Sequence, residues 1–304
     1  MTEDTLQASS GFLIPRPQIS YQQLIISLFG LYSRTPGMVF PVAALVSLLE
    51  DLGYDEPGVR SAISRLKSKG TLHATPVNNV AAYELNDALR STFIEGDERI
   101  FAERLPQYYS SWVLVLFSVP ESQRRLRHQL RKVLSGLGFG TVASGVWIAN
   151  GRLMGRVQER LEEQGLLQYV QFFRGDYFHE GSIREQVRQW WDLDSIEANI
   201  LDFLGVYGDA LEIWTAEVGS DPSTAFREAT FDQCRDAFRY YVPMLTQWRH
   251  IPYQDPNLPD EYMPEDWKGP KARTIFVRTH RLISSLAARH ARLVIRTHLP
   301  DQLV

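Results

Sequence analysis

The chain has 304 residues, with 32 lysines and arginines, 36 aspartates and glutamates, and one cysteine, Cys234. A length of this order predicts two or three domains. One cysteine excludes an intramolecular disulfide and a zinc site built from several cysteines. No apolar run is long enough to span a membrane, and residues 1–10 lack the cationic and apolar blocks of a signal peptide. We therefore expect a cytoplasmic protein without a membrane segment.

The formal net charge of −4 conceals a strong segregation of charge along the chain. Residues 175–270 carry −12, whereas residues 96–174 carry +4 and residues 271–304 carry +6. An acidic region repels DNA over a Debye length of about 8 Å. Charge of this pattern excludes a protein that coats nucleic acid with its whole surface, and only selected surfaces are suited to phosphate contact.

Residues 21–95 are predicted to form three helices followed by a hairpin. Apolar residues recur at helical spacing near 21–32 and 41–52, and a short turn leads to a third helix at 57–70. Residues 71–75 and 81–85 have the pattern of two paired strands. Three helices with a two-stranded wing predict a winged helix-turn-helix, whose third helix enters the DNA major groove.

The third predicted helix has an apolar side and a polar, cationic side. Apolar residues fall at i, i+3, i+4 and i+7 on one side, namely Val59, Ala62, Ile63 and Leu66. Hydroxyls and cations suit base edges and phosphates, and the residues predicted to contact DNA are Arg60, Ser61, Ser64, Arg65, Lys67 and Lys69. A solvated basic helix on an ordinary helical domain is the alternative. Residues 57–70 contain no acid, whereas solvated faces usually mix acids with bases, so we favour the DNA interpretation.

Residues 111–178 are predicted to form a separate domain. The predicted elements are, in order, a buried strand at 111–120, a helix at 121–137, strands at 138–143 and 146–149, a helix at 153–164 and a strand at 169–173. This βαββαβ order is the ferredoxin-like split motif.

Both helices of the predicted ferredoxin-like domain carry arginines. The first has Arg124, Arg127 and Arg131, and the second has Arg152, Arg156 and Arg160. The two helices cover the same face of the sheet in this topology, so the arginines can form one positive surface. Such a surface suits flanking DNA, an anionic ligand or the acidic residues of a partner. Solvated arginines neutralised by nearby glutamates are the alternative.

Residues 179–304 are predicted to be mainly helical, with helices at 194–218, 222–247 and 271–298. The predicted fold class is therefore α+β and multidomain. Its segments are a flexible N-terminal tail at 1–20, a winged-helix domain at 21–95, a linker helix at 96–110, a ferredoxin-like domain at 111–178 and a C-terminal helical domain at 179–304.

Four segments resemble the phenylacetic-acid-degradation repressor family, called PaaX-like. They are 59–66 with the following Lys69-Gly70, 117–121, 137–140 with 145–148, and 255–259 with 263–269. The resemblance extends over almost the whole chain in family order. It implies a homodimeric transcriptional repressor of aromatic-catabolism genes, which leaves an inverted-repeat DNA operator when an aryl-coenzyme A thioester, typically phenylacetyl-CoA, binds. The family's wing is usually rich in arginine, whereas residues 71–80 offer only His73 as a cation.

We expect the effector between the middle and C-terminal domains, where arginines meet phosphates and tryptophans meet the acyl group. The candidate ligand-binding residues are Arg124, Arg127, Arg131, Arg152, Arg156, Trp190, Trp191 and Trp214. Ordinary core packing is the alternative explanation of the tryptophans.

Two other functions are alternatives to a CoA-responsive repressor. One is a related regulator that senses a non-CoA metabolite, and the other is a nuclease-like protein or a non-specific nucleic-acid binder. The middle domain is similar in topology to the small ferredoxin-like nucleases of CRISPR spacer acquisition, which carry an acidic metal ligand near the end of their first strand. Here that strand ends at 117–120 without an aspartate. We therefore predict no enzymatic activity, no metal and no cofactor.

Overall fold

The computed structural model describes residues 5–33, 38–102, 111–178 and 181–299. These residues form two compact units. The first unit contains the described parts of 1–103, 205–249 and 273–304, and the second contains the described parts of 104–204 and 250–272. The first unit therefore joins segments that are distant in sequence.

In the N-terminal part of the first unit, the described residues 5–33 and 38–102 form four helices and five short strands. They are β1 (Thr5–Gln7), β2 (Leu13–Pro15), α1 (Tyr21–Tyr32), β3 (Phe40–Pro41), α2 (Val42–Asp51), α3 (Glu56–Ser68), β4 (Leu72–Ala74), β5 (Ala82–Leu85) and α4 (Asp87–Phe101). α1 begins at a capping box formed by Ser20 and Gln23, and the Asp55 carboxylate caps α3 by accepting from the Gly58 amide. The buried side of α3 packs against both α1 and α2.

Two parts of this region differ from the sequence-based expectation. In the stretch expected to be a flexible tail, β1 and β2 pair in an antiparallel hairpin, and Ile14 is fully buried. β3 adds a strand to the predicted hairpin, giving the order β3-β5-β4. The end of the expected linker helix, residues 103–110, lies outside the described residues.

The second unit contains a four-stranded antiparallel sheet with two helices packed on one face. Its elements are β6 (Trp112–Phe117), α5 (Arg124–Gly136), β7 (Gly140–Ala143), β8 (Val146–Asn150), α6 (Met154–Glu163), β9 (Val170–Gly175) and α7 (Ile183–Trp191). The strand order β7-β8-β6-β9 is that of the ferredoxin-like fold, so the predicted βαββαβ domain is confirmed. Alternate residues of β6, Val113 and Val115, point into a core shared with Leu130 of α5 and Val157 of α6.

The rest of the described chain is helical. Its elements are α8 (Leu193–Tyr207), α9 (Ala210–Val218), α10 (Pro222–Glu228), α11 (Phe231–Trp248), α12 (Ile251–Gln254) and α13 (Gly269–Thr297). Two expected helices are each divided in two. The helix expected at 194–218 breaks between Tyr207 and Ala210, and the one expected at 222–247 breaks at Thr230, which forms a capping box with Gln233 at the start of α11. Within the described residues, no helix combines the length and apolar character needed to cross a membrane.

Within the first unit, α1 packs directly on α11. The hydroxyl oxygens of Ser27 and Thr246 lie 2.8 Å apart, and both residues are buried. The His290 Nε2 atom of α13 lies 2.7 Å from the Asp51 Oδ2 atom at the end of α2. These polar contacts fix the N-terminal helices onto α11 and α13.

Candidate nucleic-acid interface and cationic cavity

α3 presents a polar, cationic surface that is held in place by the burial of its other side. Val59, Ala62, Ile63 and Leu66 are buried, as their spacing predicts. All six residues expected to contact DNA are exposed: Arg60, Ser61, Ser64, Arg65, Lys67 and Lys69. We call these six the α3 surface.

The cations of the α3 surface differ in how they are paired. The helix begins at Glu56, one residue before the predicted start, and the Glu56 Oε1 atom lies 2.6 Å from the Arg60 Nε atom. Arg60 is therefore partly neutralised, which the acid-free stretch 57–70 did not indicate. The Lys69 Nζ atom lies 3.3 Å from Gln22 Oε1. Among the described residues, no carboxylate lies within ion-pair distance of Arg65 or Lys67.

The start of α3 is anchored to α1 by a close approach of the two helices. The Tyr21 hydroxyl donates a hydrogen bond to Asp55, the N-cap residue, and a Cβ atom at Gly58 would collide with the Tyr21 ring. Hydrogen bonds from the Tyr21 hydroxyl and the Gly58 amide lower the pKa of Asp55. The carboxylate is thus held in the charged form that favours a helix N-terminus.

The hairpin after α3 offers little positive charge. β4 and β5 are joined through a tight turn in which Asn78 and Asn79 have φ of 48° and 66° and Val77 and Val80 exchange backbone hydrogen bonds. His73 is exposed on β4 and pairs in register with Glu84 of β5. The Glu84 carboxylate accepts a hydrogen bond from the Thr75 hydroxyl at 2.8 Å and lies 3.8 Å from Arg90.

A second charged region lies beside α5, in the second unit. A cavity of about 740 Å³ is lined by Arg124, Arg127, His128, Arg131, Lys132, Ser135 and Trp147. We call it the α5 cavity. Its charged residues share one side of α5 because Leu130, Val133 and Leu134 on the other side are buried in the domain core. The Arg127 Nη2 atom donates to the Val119 carbonyl at 2.8 Å, which orients that side chain.

The other candidate ligand residues lie elsewhere. Arg152 and Arg156 are not part of the lining of the α5 cavity, and the Arg152 Nη2 atom is 3.5 Å from the Asn257 carbonyl. Trp190 and Trp191 pack against Trp112 in the second unit, with ring centroids 5.9 and 6.3 Å from that of Trp112.

The remaining candidate, Trp214, belongs to the first unit. It is fully buried between Phe12 and Tyr240. Core packing accounts for the environments of all three candidate tryptophans. Sequence spacing did not indicate His128, Lys132, Ser135 and Trp147 as neighbours of the arginines, because Trp147 reaches the cavity only through the pairing of β8 in the sheet.

The described residues contain no group of three histidine, cysteine, aspartate or glutamate side chains that could hold a metal ion. Cys234 is buried, and burial raises the pKa of its thiol.

A ferredoxin-like domain in the middle of the chain, with mainly helical segments before and after it, places this protein among multidomain proteins with a Cas2-like central domain. Three family descriptions match in order: "PaaX-like protein" at residues 20–89, "PaaX protein central Cas2-like domain" at 107–187 and "PaaX-like protein C-terminal domain" at 191–293. The chain belongs to the PaaX-like family. It is 24% identical over 272 residues to the transcriptional repressor PaaX of Escherichia coli (strain K12), covering 88% of this chain and 82% of that protein.

A solved structure supports the fold. The uncharacterized protein Rv0674 from Mycobacterium tuberculosis is 19% identical, with a TM-score of 0.52 over 91% of this chain and 99% of its own.

Proposed function

We propose that this chain is a sequence-specific transcriptional repressor without enzymatic activity, in which residues 21–95 act as a winged helix-turn-helix and α3 is the recognition helix. The observation that carries the proposal is the α3 surface, which is exposed while the opposite side of α3 is buried against α1 and α2. Arginine binds guanine edges and phosphates in a bidentate manner, and short hydroxyls fit close to base edges. Membership of the PaaX-like family and similarity to a protein named as a repressor support it.

A homodimer supplies the geometry that operator recognition needs. Two copies of α3 related by a two-fold axis enter successive major grooves, so the operator is an inverted repeat with half-site centres about 34 Å apart, or a multiple of that distance. The hairpin adds little phosphate contact because residues 71–80 offer only His73 as a cation. Affinity then depends on the two recognition helices and on the spacing that the dimer imposes. Chromosomal DNA as the target implies the cytoplasm as the compartment.

A small-molecule effector releases the repressor by linkage. An effector that binds the DNA-incompatible form more tightly weakens operator binding by its own ratio of affinities for the two forms. We propose an aryl-coenzyme A thioester such as phenylacetyl-CoA, in keeping with the family. A thermal-shift panel of aryl-CoA thioesters, coenzyme A and free aromatic acids tests this, because selective binding to the folded state raises the melting temperature. If only non-CoA metabolites raise the melting temperature, the proposal of a CoA thioester as effector is wrong, and the proposal that the chain is a repressor still stands.

The recognition helix is tested by selecting binding sites from a random duplex library and measuring their affinity by fluorescence anisotropy. Arg65→Ala removes an exposed side chain, and we expect the selected site to be bound about 10- to 100-fold more weakly, which corresponds to roughly 1–3 kcal/mol for a base-contacting arginine. Arg278→Ala is the matched control, since Arg278 is an exposed arginine of the same unit on α13.

Three results would contradict the assignment of α3 to base recognition. They are equal affinity and unchanged sequence preference in Arg65→Ala, an equal loss in Arg278→Ala, and failure of the wild-type protein to retain its site against excess random duplex.

A further inference from the structure

The α5 cavity combines a volume suited to a small ligand with an unusual concentration of positive charge. Its volume of about 740 Å³ falls within the roughly 300–1,000 Å³ of typical small-molecule sites. Four of the seven lining residues are arginine or lysine, and a fifth is His128. An open depression and a concentration of positive charge therefore coincide in the same place.

Acidic side chains are scarce in the sequence around α5. Between Glu121 and Glu159 there is no aspartate or glutamate, whereas the same stretch contains seven arginines and lysines. Arg127 and Arg131 are four residues apart on the helix. Like charges at this spacing destabilise a helix. An anion that binds between them relieves the repulsion.

One arginine of α6 forms a solvent-exposed ion pair in the same domain. Arg160 of α6 lies 3.2 Å from the carboxylate of Glu163. Within the described ranges, no carboxylate lies within ion-pair distance of Arg131 or Lys132. Local neutralisation therefore explains Arg160 and does not extend to Arg131 and Lys132.

We propose that the α5 cavity binds a small ligand that carries two or more phosphate groups next to a planar or apolar portion, as in the nucleotide end of a coenzyme A thioester. Arginine forks bind phosphate oxygens in pairs, lysine adds a point charge, and the Ser135 hydroxyl is a further donor. The buried Trp147 ring provides apolar surface at the cavity wall. A depression of this size accommodates a small ligand, and duplex DNA is the alternative that the test below separates from it. The proposal deepens the proposed function, on which the choice of coenzyme A as probe rests.

Isothermal titration calorimetry on the full chain tests the proposal with coenzyme A, inorganic pyrophosphate and phenylacetate as probes. The test variant is Arg131→Gln with Lys132→Gln. Arg125→Gln is the matched control, since Arg125 is exposed on the same helix but does not line the cavity. We expect coenzyme A to bind the wild type and the control equally and the double variant roughly tenfold or more weakly, as for loss of a charge-assisted contact. Pyrophosphate should bind more weakly with the same dependence on the variants.

The fold of the double variant is checked independently, by its melting temperature, which we expect to equal or exceed that of the wild type because like-charge repulsion is reduced.

Unchanged coenzyme A affinity in the double variant, or phenylacetate binding as tight as coenzyme A binding, overturns the proposal. So does a double variant that loses affinity for random duplex DNA while it keeps coenzyme A, because the region is then a DNA contact. A wild type that selects a DNA sequence but binds neither coenzyme A nor pyrophosphate refutes the cavity site alone. If coenzyme A binds in the cavity but the wild type selects no DNA sequence, the repressor proposal is refuted and the cavity proposal stands.

Discussion

The buried hydroxyl pair between α1 and α11 predicts an asymmetric response to mutation. Ser27 and Thr246 are 3% and 1% exposed, and their hydroxyl oxygens are 2.8 Å apart. The Thr246 hydroxyl is also 2.7 Å from the Val242 carbonyl one turn earlier. A hydroxyl donates only one hydrogen bond. The consistent arrangement is that Thr246 donates to Val242 and Ser27 donates to Thr246.

Each single substitution then has a different cost. Ser27→Ala leaves Thr246 with its hydrogen bond to Val242. We therefore expect the free energy of unfolding to fall by about 0.5–1.5 kcal/mol, the net contribution of one hydrogen bond. Thr246→Val leaves the Ser27 hydroxyl buried without its acceptor, and we expect the free energy of unfolding to fall by about 1–3 kcal/mol. The double variant should cost less than the two losses added together, because it leaves no buried hydroxyl unpaired.

Urea unfolding followed by circular dichroism measures these differences, provided that the slopes of the transitions are unchanged. Cys234→Ser serves as a control for a buried polar change elsewhere in α11, with no coupling to Ser27→Ala expected. The reasoning fails if Ser27→Ala costs more than Thr246→Val, or if the two losses add without coupling.

Two further predictions concern stability. Ile63→Ala, on the buried side of α3, should lower the free energy of unfolding by about 2–5 kcal/mol, while the DNA affinity of the folded fraction stays unchanged; an affinity loss as large as that of Arg65→Ala would contradict the division of α3 into two sides. Burial, with Arg281 nearby, lowers the pKa of His280 from 6.5 to about 4. Because the unfolded chain then binds the proton more readily, His280 should cost up to about 3 kcal/mol of stability as the pH falls from 6.5 to 4, and none above that range. His280→Gln should flatten that part of the stability profile, and an unchanged profile would place the titration elsewhere.

Local sequence patterns were sufficient for the elements near the candidate DNA interface. The apolar residues of α3 recur at helical spacing, and the strands of the ferredoxin-like domain combine apolar runs with turn residues. The break between α8 and α9 is not apparent from the sequence pattern, because the apolar spacing continues through Gly208 and Asp209. The T-x-x-Q pattern at Thr230 was a usable signal for the start of α11.

Long-range packing explains what sequence patterns did not reveal. The β1–β2 hairpin is held by contacts such as that of Ser9, whose amide and hydroxyl lie 2.7 and 2.6 Å from the buried Asp236 carboxylate, 227 residues away. Segments 5–102, 205–249 and 273–299 form one unit through such contacts, and no window of local sequence encodes them. The α5 cavity likewise depends on the strand pairing that brings Trp147 to the base of α5.

The discontinuous first unit has a consequence for biosynthesis. On the ribosome, α1 emerges long before α11 and α13, so the surface of α1 around Ser27 stays uncovered until nearly the whole polypeptide has been made. A premature stop codon after residue 230 would leave the sequences of α1, α2 and α3 intact but would remove α11 and α13, which contact α1 and α2. We expect such alleles to give little protein, because an incompletely folded product is degraded, although every residue of α3 is still translated.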